Sequence, residues 1–326
     1  MAAPWCADAK VERLVLLRKE VKRKLLPESR AIERVHVEGT LPHQGIWDQS
    51  IEAQLDWPVM RNLALLWQVQ RQPDDLAALS RLLADWGTRY QLSFNPIDET
   101  NLDTYIEAYA IAQDALAPSV RSTAQRFIQQ LGEGYLSRIE NKFRPNDGKW
   151  VNNWNSHRIK LATLTAVALN DEAMLTRARS QFIAHLGRNL REDGSTLDFE
   201  ERDALHYVVF DLEPLTRTVL AARLREQNWL DLKGSTHVSL RDALDWLTPY
   251  AKGDKTHEEF VHSRIKFDYQ RRNAGLSEFS GVWDPKRSSN LYAMAAILDP
   301  KYVAISQRLG QSTGSSGGWI AACWGP

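Results

Sequence analysis

Apolar residues recur at helical spacing along almost the whole chain, and this constrains the fold more than any other feature. In PDDLAALSRLLADWGTRY the residues Leu76, Leu79, Leu82, Leu83, Trp86 and Tyr90 advance by threes and fours, with Pro73 and Asp74 placed as a helix start. Patterns of strict alternation, which would signal strands, are sparse. The same reading predicts helices near 7–25, 59–71, 74–91, 99–115, 119–141, 153–169, 171–190, 204–226, 238–251, 256–274 and 288–298. The connections between them, such as FNPIDET, RPNDGKW, REDGST and VWDPKR, are short and rich in Pro, Gly, Asn and Asp. Short links set successive helices antiparallel. No fixed period of roughly 20 to 50 residues is present, which disfavours a consensus solenoid. The expected class is all-α, built from antiparallel helix pairs as an α/α toroid or a helical bundle.

Charge excludes one class of partner. Lys and Arg number 41 and Asp and Glu number 41, so the formal charge is zero. A nucleic-acid binder gains most of its affinity by neutralising phosphates and needs a net basic surface, so no nucleic-acid partner is expected. With 43% hydrophobic residues over 326 positions the chain can bury a large core, and nothing marks a second independently folded domain. No run approaches the ~18 apolar residues of a membrane span, so no membrane partner is expected. The start MAAPWCADAK lacks the apolar stretch of a signal peptide, which leaves a cytosolic or an already processed chain.

Cys6 and Cys323 lie near opposite termini, away from any metal-ligand spacing, so a zinc site is not expected. Either they are two unpaired thiols or they bridge. A bridge would anchor the Gly/Ser-rich tail 311–326, which contains GQSTGSSGG, and would imply an oxidising compartment.

Three segments carry candidate chemistry. In KWVNNWNSHRIKLATLTAVAL, Asn153 and His157 are four apart and share a helix face that Leu161, Leu164 and Ala168 continue. The plainer alternative makes Asn153 a helix cap and His157 a core histidine. In DFEERDALHYVVFDLEPL, Arg202, His206 and Tyr207 fall within six residues. A cation beside a phenol favours the phenolate and lowers its pKa, so Tyr207 becomes a candidate for moving protons. On one continuous helix Arg202 and Tyr207 would be about 140° apart, so they cooperate only if a helix begins after Arg202. The alternative is a surface helix on which Arg202 pairs with Glu200 or Glu201. In THEEFVHSRIKFDYQRRNAGLSEFSGVWDPKR, cations including Arg271 mix with aromatics, as suits an anionic ligand or a solvated helix face. Its two histidines are five apart, not the four of the HExxH zinc motif, and no P-loop, G-x-S-x-G or G-x-G-x-x-G occurs.

NNWNSHRIKL followed some fifty residues later by RDALHYVVFDLEPL resembles the alginate lyase superfamily of polysaccharide lyases. Two departures from family 5 stand out: the histidine follows the Asn pair after three intervening residues, and Glu200 stands at the family's arginine position. With EFVHSRIKFDYQRRNAG and LYAMAAILDP, the chain looks more like polysaccharide lyase family 38, which contains glucuronan (cellouronate) and alginate lyases. The likeness spans roughly 90–305. It implies a single (α/α) toroid lyase domain over 1–310 that acts as a monomer on an anionic polysaccharide in the periplasm or outside the cell. It implies no metal and no cofactor.

The implied reaction is β-elimination at a uronate. Asn153 and Arg202 would neutralise the C5 carboxylate, Tyr207 would serve as base and acid in a syn elimination, and His157 would activate it or replace it as base. Asn152, Trp154, His206, Tyr105 and Arg271 are the expected substrate contacts. The resemblance points to β-1,4-polyglucuronate, with polymannuronate as the alternative, since the two differ only at C2. From other classes come a non-catalytic uronan-binding toroid and a helical glycoside hydrolase using Asp98 with Glu107 or Glu200.

Overall fold

Helix starts in this chain are built from prolines, acids and borrowed side chains. The computed structural model describes residues 14–310 together with Cys6 and Cys323. Its helices are α1 (Val15–Lys24), α2 (Trp47–Gln54), α3 (Asp56–Gln70), α4 (Pro73–Arg89), α5 (Asp103–Ala112), α6 (Pro118–Lys142) and α7 (Asn153–Leu169). They continue as α8 (Glu172–Asn189), α9 (Leu197–Arg202), α10 (Leu205–Arg223), α11 (Leu240–Ala251), α12 (Lys266–Asn273), α13 (Ser289–Leu298) and α14 (Val303–Leu309). Among the described residues, β-structure is limited to isolated bridges such as Leu190–Thr196 and Glu258–Val282. The fold is all-α, of the (α/α) toroid class.

The described chain groups into two units, neither of them one continuous stretch. The first takes 14–135 with Leu161–Leu175, and the second takes Leu136–Lys160 with 176–310. In the first unit Pro73 occupies the opening turn of α4, where its missing N–H costs nothing, and Asp75 accepts both Arg18 Nη1 (2.5 Å) and Nη2 (2.7 Å). Leu79, Leu82, Leu83 and Trp86 are buried as the periodicity requires, and the Trp57 and Trp86 rings meet at 5.2 Å. Cys6 and Cys323 form a disulfide across 317 residues of sequence. The rest of the tail 311–326 lies outside the described residues, as do 7–13 of the first expected helix.

In the second unit α10 packs against α9, α11 and α13. It runs through Pro214, with the Thr218 hydroxyl bonded to the Pro214 carbonyl at 2.9 Å. Three short helices, α2, α9 and α14, fall outside the expected set. The largest difference concerns 256–274, expected as one helix: only Lys266–Asn273 is helical. The backbone donors before it point elsewhere. Glu259 N–H reaches the Gly281 carbonyl (2.9 Å), Phe260 N–H the Asp203 carbonyl (2.8 Å) and Arg264 N–H the Glu201 carbonyl (2.8 Å). Those bonds draw the segment onto the junction of α9 and α10, at the expense of a continuous helical ladder.

Replacing both Cys6 and Cys323 by Ser is expected to lower the thermal midpoint, since opening a closed loop of 317 residues costs up to about 5 kcal/mol of unfolded-state restriction. Thermal denaturation without reductant measures it; an unchanged midpoint would count against a stabilising bridge.

Candidate active site

The site grows from a break in the chain. Thr196 caps α9 by accepting Phe199 N–H at 3.2 Å, and α9 ends after six residues at Asp203, which is left-handed at φ 51°. Ala204 is extended and α10 starts at Leu205 with no cap from its own side chains. The missing cap comes from Glu259, whose buried carboxylate accepts Leu205 N–H (2.8 Å) and His206 N–H (3.1 Å). An acid at a helix start meets both the free amides and the positive end of the dipole.

The break lets Arg202 fold back on Tyr207. Its Cζ lies 3.8 Å from the ring centroid, and its Nη1 donates to Asp268 Oδ1. The helix break that the sequence reading required for the two to meet is present between Arg202 and Leu205. From the other side Arg271 Nη1 donates to Tyr207 Oη at 2.7 Å. Tyr207 is 7% exposed, packed with Phe260 and Phe210 at centroid distances of 6.0 Å each and His206 at 5.2 Å. One expectation is corrected here. The phenol pKa is raised, because burial outweighs the opposite pull of Arg202 and Arg271.

Asn153 opens α7, but its cap is Asn152, whose Oδ1 accepts Trp154 N–H at 3.2 Å. Asn153 is held instead by Asp198, which accepts its backbone N–H at 2.8 Å and its Nδ2 at 2.6 Å. Asp198 Oδ1 also lies 3.7 Å from Arg202 Nε, so one buried carboxylate ties the amide to the guanidinium. Burial raises the pKa of Asp198, the charge of Asp211 raises it further, and Arg202 works against both. Asp211 accepts Ser156 Oγ (2.5 Å) and Asn189 Nδ2 (2.5 Å), and Ser156 Oγ is 2.7 Å from His185 Nε2. Burial drives His185 down to about 3, so that imidazole is neutral.

His157 is 3% exposed, and its ring lies 4.5 Å from Phe210, the same residue that packs on Tyr207. Burial holds its pKa well below the usual range, helped by Lys160 and Arg158. His206 is pushed down to about 4, first by burial and then by Arg287, Arg271 and Arg202. Both histidines are therefore neutral at neutral pH. Trp154 has Lys149 Nζ 4.1 Å from its ring centroid, so a cation already occupies one face of the indole.

Tyr105 is the expected contact that the structure removes. It is fully buried in the first unit, and its hydroxyl donates to the Leu83 carbonyl at 2.8 Å. The hydrolase alternative loses its carboxylates too. Asp98 accepts Val37 N–H (2.7 Å) and Glu38 N–H (2.8 Å), and Glu107 is buried beside Arg61. Glu200 is exposed and paired with Arg191 at 2.7 Å. What the sequence reading missed is the set of supporting acids, Asp198, Asp268 and Glu259. Each looked like one more charge on a helix face; the available signal was the position of Asp198 four residues before Arg202.

A buried amide and imidazole, and a buried phenol with two guanidiniums at it, all lie in the second unit of an all-helical scaffold. The chain is a polysaccharide lyase, a carbon–oxygen lyase, as its family shows. The pattern of the alginate lyase family matches residues 10–257, and the chain belongs to that family. No curated protein matches. Among solved structures, an alginate lyase from Bacteroides ovatus matches with a TM-score of 0.66 at 14% identity, covering 99% of each chain. Alginate lyase A1-III from Sphingomonas species A1 matches with a TM-score of 0.56 at 15% identity, over 82% of this chain and 88% of that one. A histidine-to-alanine variant of alginate lyase A1-III complexed with tetrasaccharide gives 0.56 at 16% identity, over 84% and 89%.

Glu259→Ala is expected to cost about 1 to 2 kcal/mol, because it uncaps α10 and leaves two buried amides without acceptors. Denaturant unfolding measures the loss; wild-type stability would show that α10 does not depend on this cap.

Proposed function

We propose that the chain cleaves β-1,4-linked polyglucuronate by syn β-elimination, with Tyr207 as both base and acid. The single observation that carries the reading is the phenol of Tyr207, whose oxygen accepts a guanidinium at 2.7 Å and whose ring lies under a second one. A uronate carboxylate entering beside those cations is neutralised, which acidifies H5 and stabilises the enolate-like transition state. The phenolate takes H5, the C5–H electrons form the C4–C5 double bond, the C4–O4 bond breaks, and the phenol returns its proton to O4. The products are a 4,5-unsaturated uronate end and a new hydroxyl end.

Arg271, expected only as a substrate contact, donates to the phenol oxygen, so in this mechanism it joins Arg202 and Asn153 in holding the carboxylate. His157, neutral in its buried setting, serves as a hydrogen-bonding partner of the sugar and as the competing candidate for the base. Asn152, Trp154 and His206 are the further sugar contacts in this reading. Structural neighbours held with tetrasaccharide support a polymeric, anionic substrate. The Cys6–Cys323 disulfide supports an oxidising compartment, periplasmic or extracellular.

Glucuronan is chosen on the resemblance in the motifs. The family match favours a second reading, polymannuronate, whose H5 and O4 also lie on one ring face.

Tyr207→Phe is expected to lower the rate of unsaturated-product formation by about 100-fold or more, with an unchanged circular dichroism spectrum. Ultraviolet absorbance on glucuronan, polymannuronate, polyguluronate and hyaluronan reads both turnover and substrate. Retained turnover would remove Tyr207 from the chemistry, and saturated products heavier by one water would indicate hydrolysis.

Because burial raises the Tyr207 pKa above the ordinary tyrosine range, the phenolate forms only at alkaline pH, so kcat/KM should climb from neutrality without reaching a plateau below that range. A profile already flat at neutrality would transfer the base role to His157, whose lowered pKa leaves it deprotonated there.

A further inference from the structure

One carboxylate stands behind both cations that flank the phenol. Asp268 Oδ1 accepts Arg202 Nη1 and lies 3.9 Å from Arg271 Nη1, while its Oδ2 accepts Ser263 Oγ at 2.7 Å. Asp268 is 1% exposed and sits in the first turn of α12, three residues before Arg271 on the same helix face. The segment ahead of α12 is pinned around it. Ile265 N–H bonds to Ser263 Oγ at 3.1 Å, and the Tyr269 hydroxyl to the Ser263 carbonyl at 2.6 Å.

We propose that Asp268 is the positioning residue of the proton-transfer centre: it holds Arg202 across the Tyr207 ring and Arg271 at the phenol oxygen in one fixed arrangement. The inference rests on the reading of Tyr207 as the group that moves the proton.

Geometry separates this role from a simple ion pair. Arg202 has a second acid within reach, Asp198, at 3.7 Å and four residues earlier on α9. Without Asp268 the guanidinium is drawn toward Asp198, away from the ring and onto the carboxylate that holds Asn153. Arg271 then keeps the Tyr207 oxygen (2.7 Å) and the rings of Phe267 (4.2 Å) and Phe279 (4.9 Å), with Asp268 no longer beside it to fix its angle. One acid therefore decides where two cations stand.

The charge of Asp268 also acts on the phenol. The groups facing Tyr207 are Arg202 from α9, neutral His206 from α10, and Arg271 and Asp268 from α12, with Glu259 at the start of α10. Arg202 and Arg271 favour the phenolate, whereas Asp268 favours the protonated phenol. Removing Asp268 takes away that charge but also releases Arg202 and Arg271, whose pull toward the phenolate is the larger, so the phenol pKa rises and the limb of the pH profile that follows Tyr207 moves to higher pH.

The test uses the full chain with the uronan it degrades, comparing Asp268→Asn, Asp268→Glu and Ser263→Ala with Tyr207→Phe. Asp268→Asn should reduce kcat about 10- to 100-fold, more than it raises KM, in line with the loss of an orienting partner. Its ascending limb should shift to higher pH, whereas a shift to lower pH would mean that the cations kept their places and would overturn the proposal, and Asp268→Glu should recover part of the rate. Ser263→Ala keeps the carboxylate but frees one oxygen, and should give a smaller fall in kcat even if Asp268→Asn does not fold. Wild-type kcat and an unmoved limb in Asp268→Asn would overturn the proposal, as would unchanged kcat in Ser263→Ala where Asp268→Asn is unfolded. If Tyr207→Phe keeps wild-type turnover, the reading of the phenol fails first, and this inference falls with it.

Discussion

Burying guanidinium groups is the constraint on which this site depends. Arg202 and Arg271, both partly buried, sit against an aromatic cluster of Tyr207, Phe260 and Phe279. A buried cation is tolerated only when acids and hydrogen bonds replace its hydration, and removing one partner leaves a charge uncompensated. Asp198, Asp268 and the break at Asp203 supply that compensation. The centre is held before any ligand arrives, which is the condition under which fixed dipoles and charges favour a developing anion most.

Burial sets the protonation states as firmly as charge does. His157, His185 and His206 are all driven neutral by desolvation, and the Tyr207 phenol stays protonated despite two adjacent cations. The same dry surroundings that hold the phenol protonated strengthen the pull of Arg202 and Arg271 on any carboxylate brought beside them.

The helical class was legible because burial of one stripe per helix leaves a period in the sequence, as Leu79, Leu82, Leu83 and Trp86 show. Asn153 and His157 were legible as a four-residue pair and Arg202 with Tyr207 as a local cluster. The error at 256–274 has the opposite origin. Apolar spacing there looks helical, but Glu259, Phe260 and Arg264 spend their amides on residues some twenty to sixty positions away. Tyr105 matched a substrate contact in type, yet its hydroxyl is spent on a backbone carbonyl inside the first unit.

By itself the sequence determined that the chain would be helical and that the fold would follow a family of lyases. Those properties live in local spacing and residue type. Tertiary structure alone decided that Arg202 would fold over Tyr207, that Glu259 would cap α10 from 54 residues away, and that Asp268 would reach Arg202 across 66. Such partners are chosen by which surfaces exclude water together, and no local pattern records that choice.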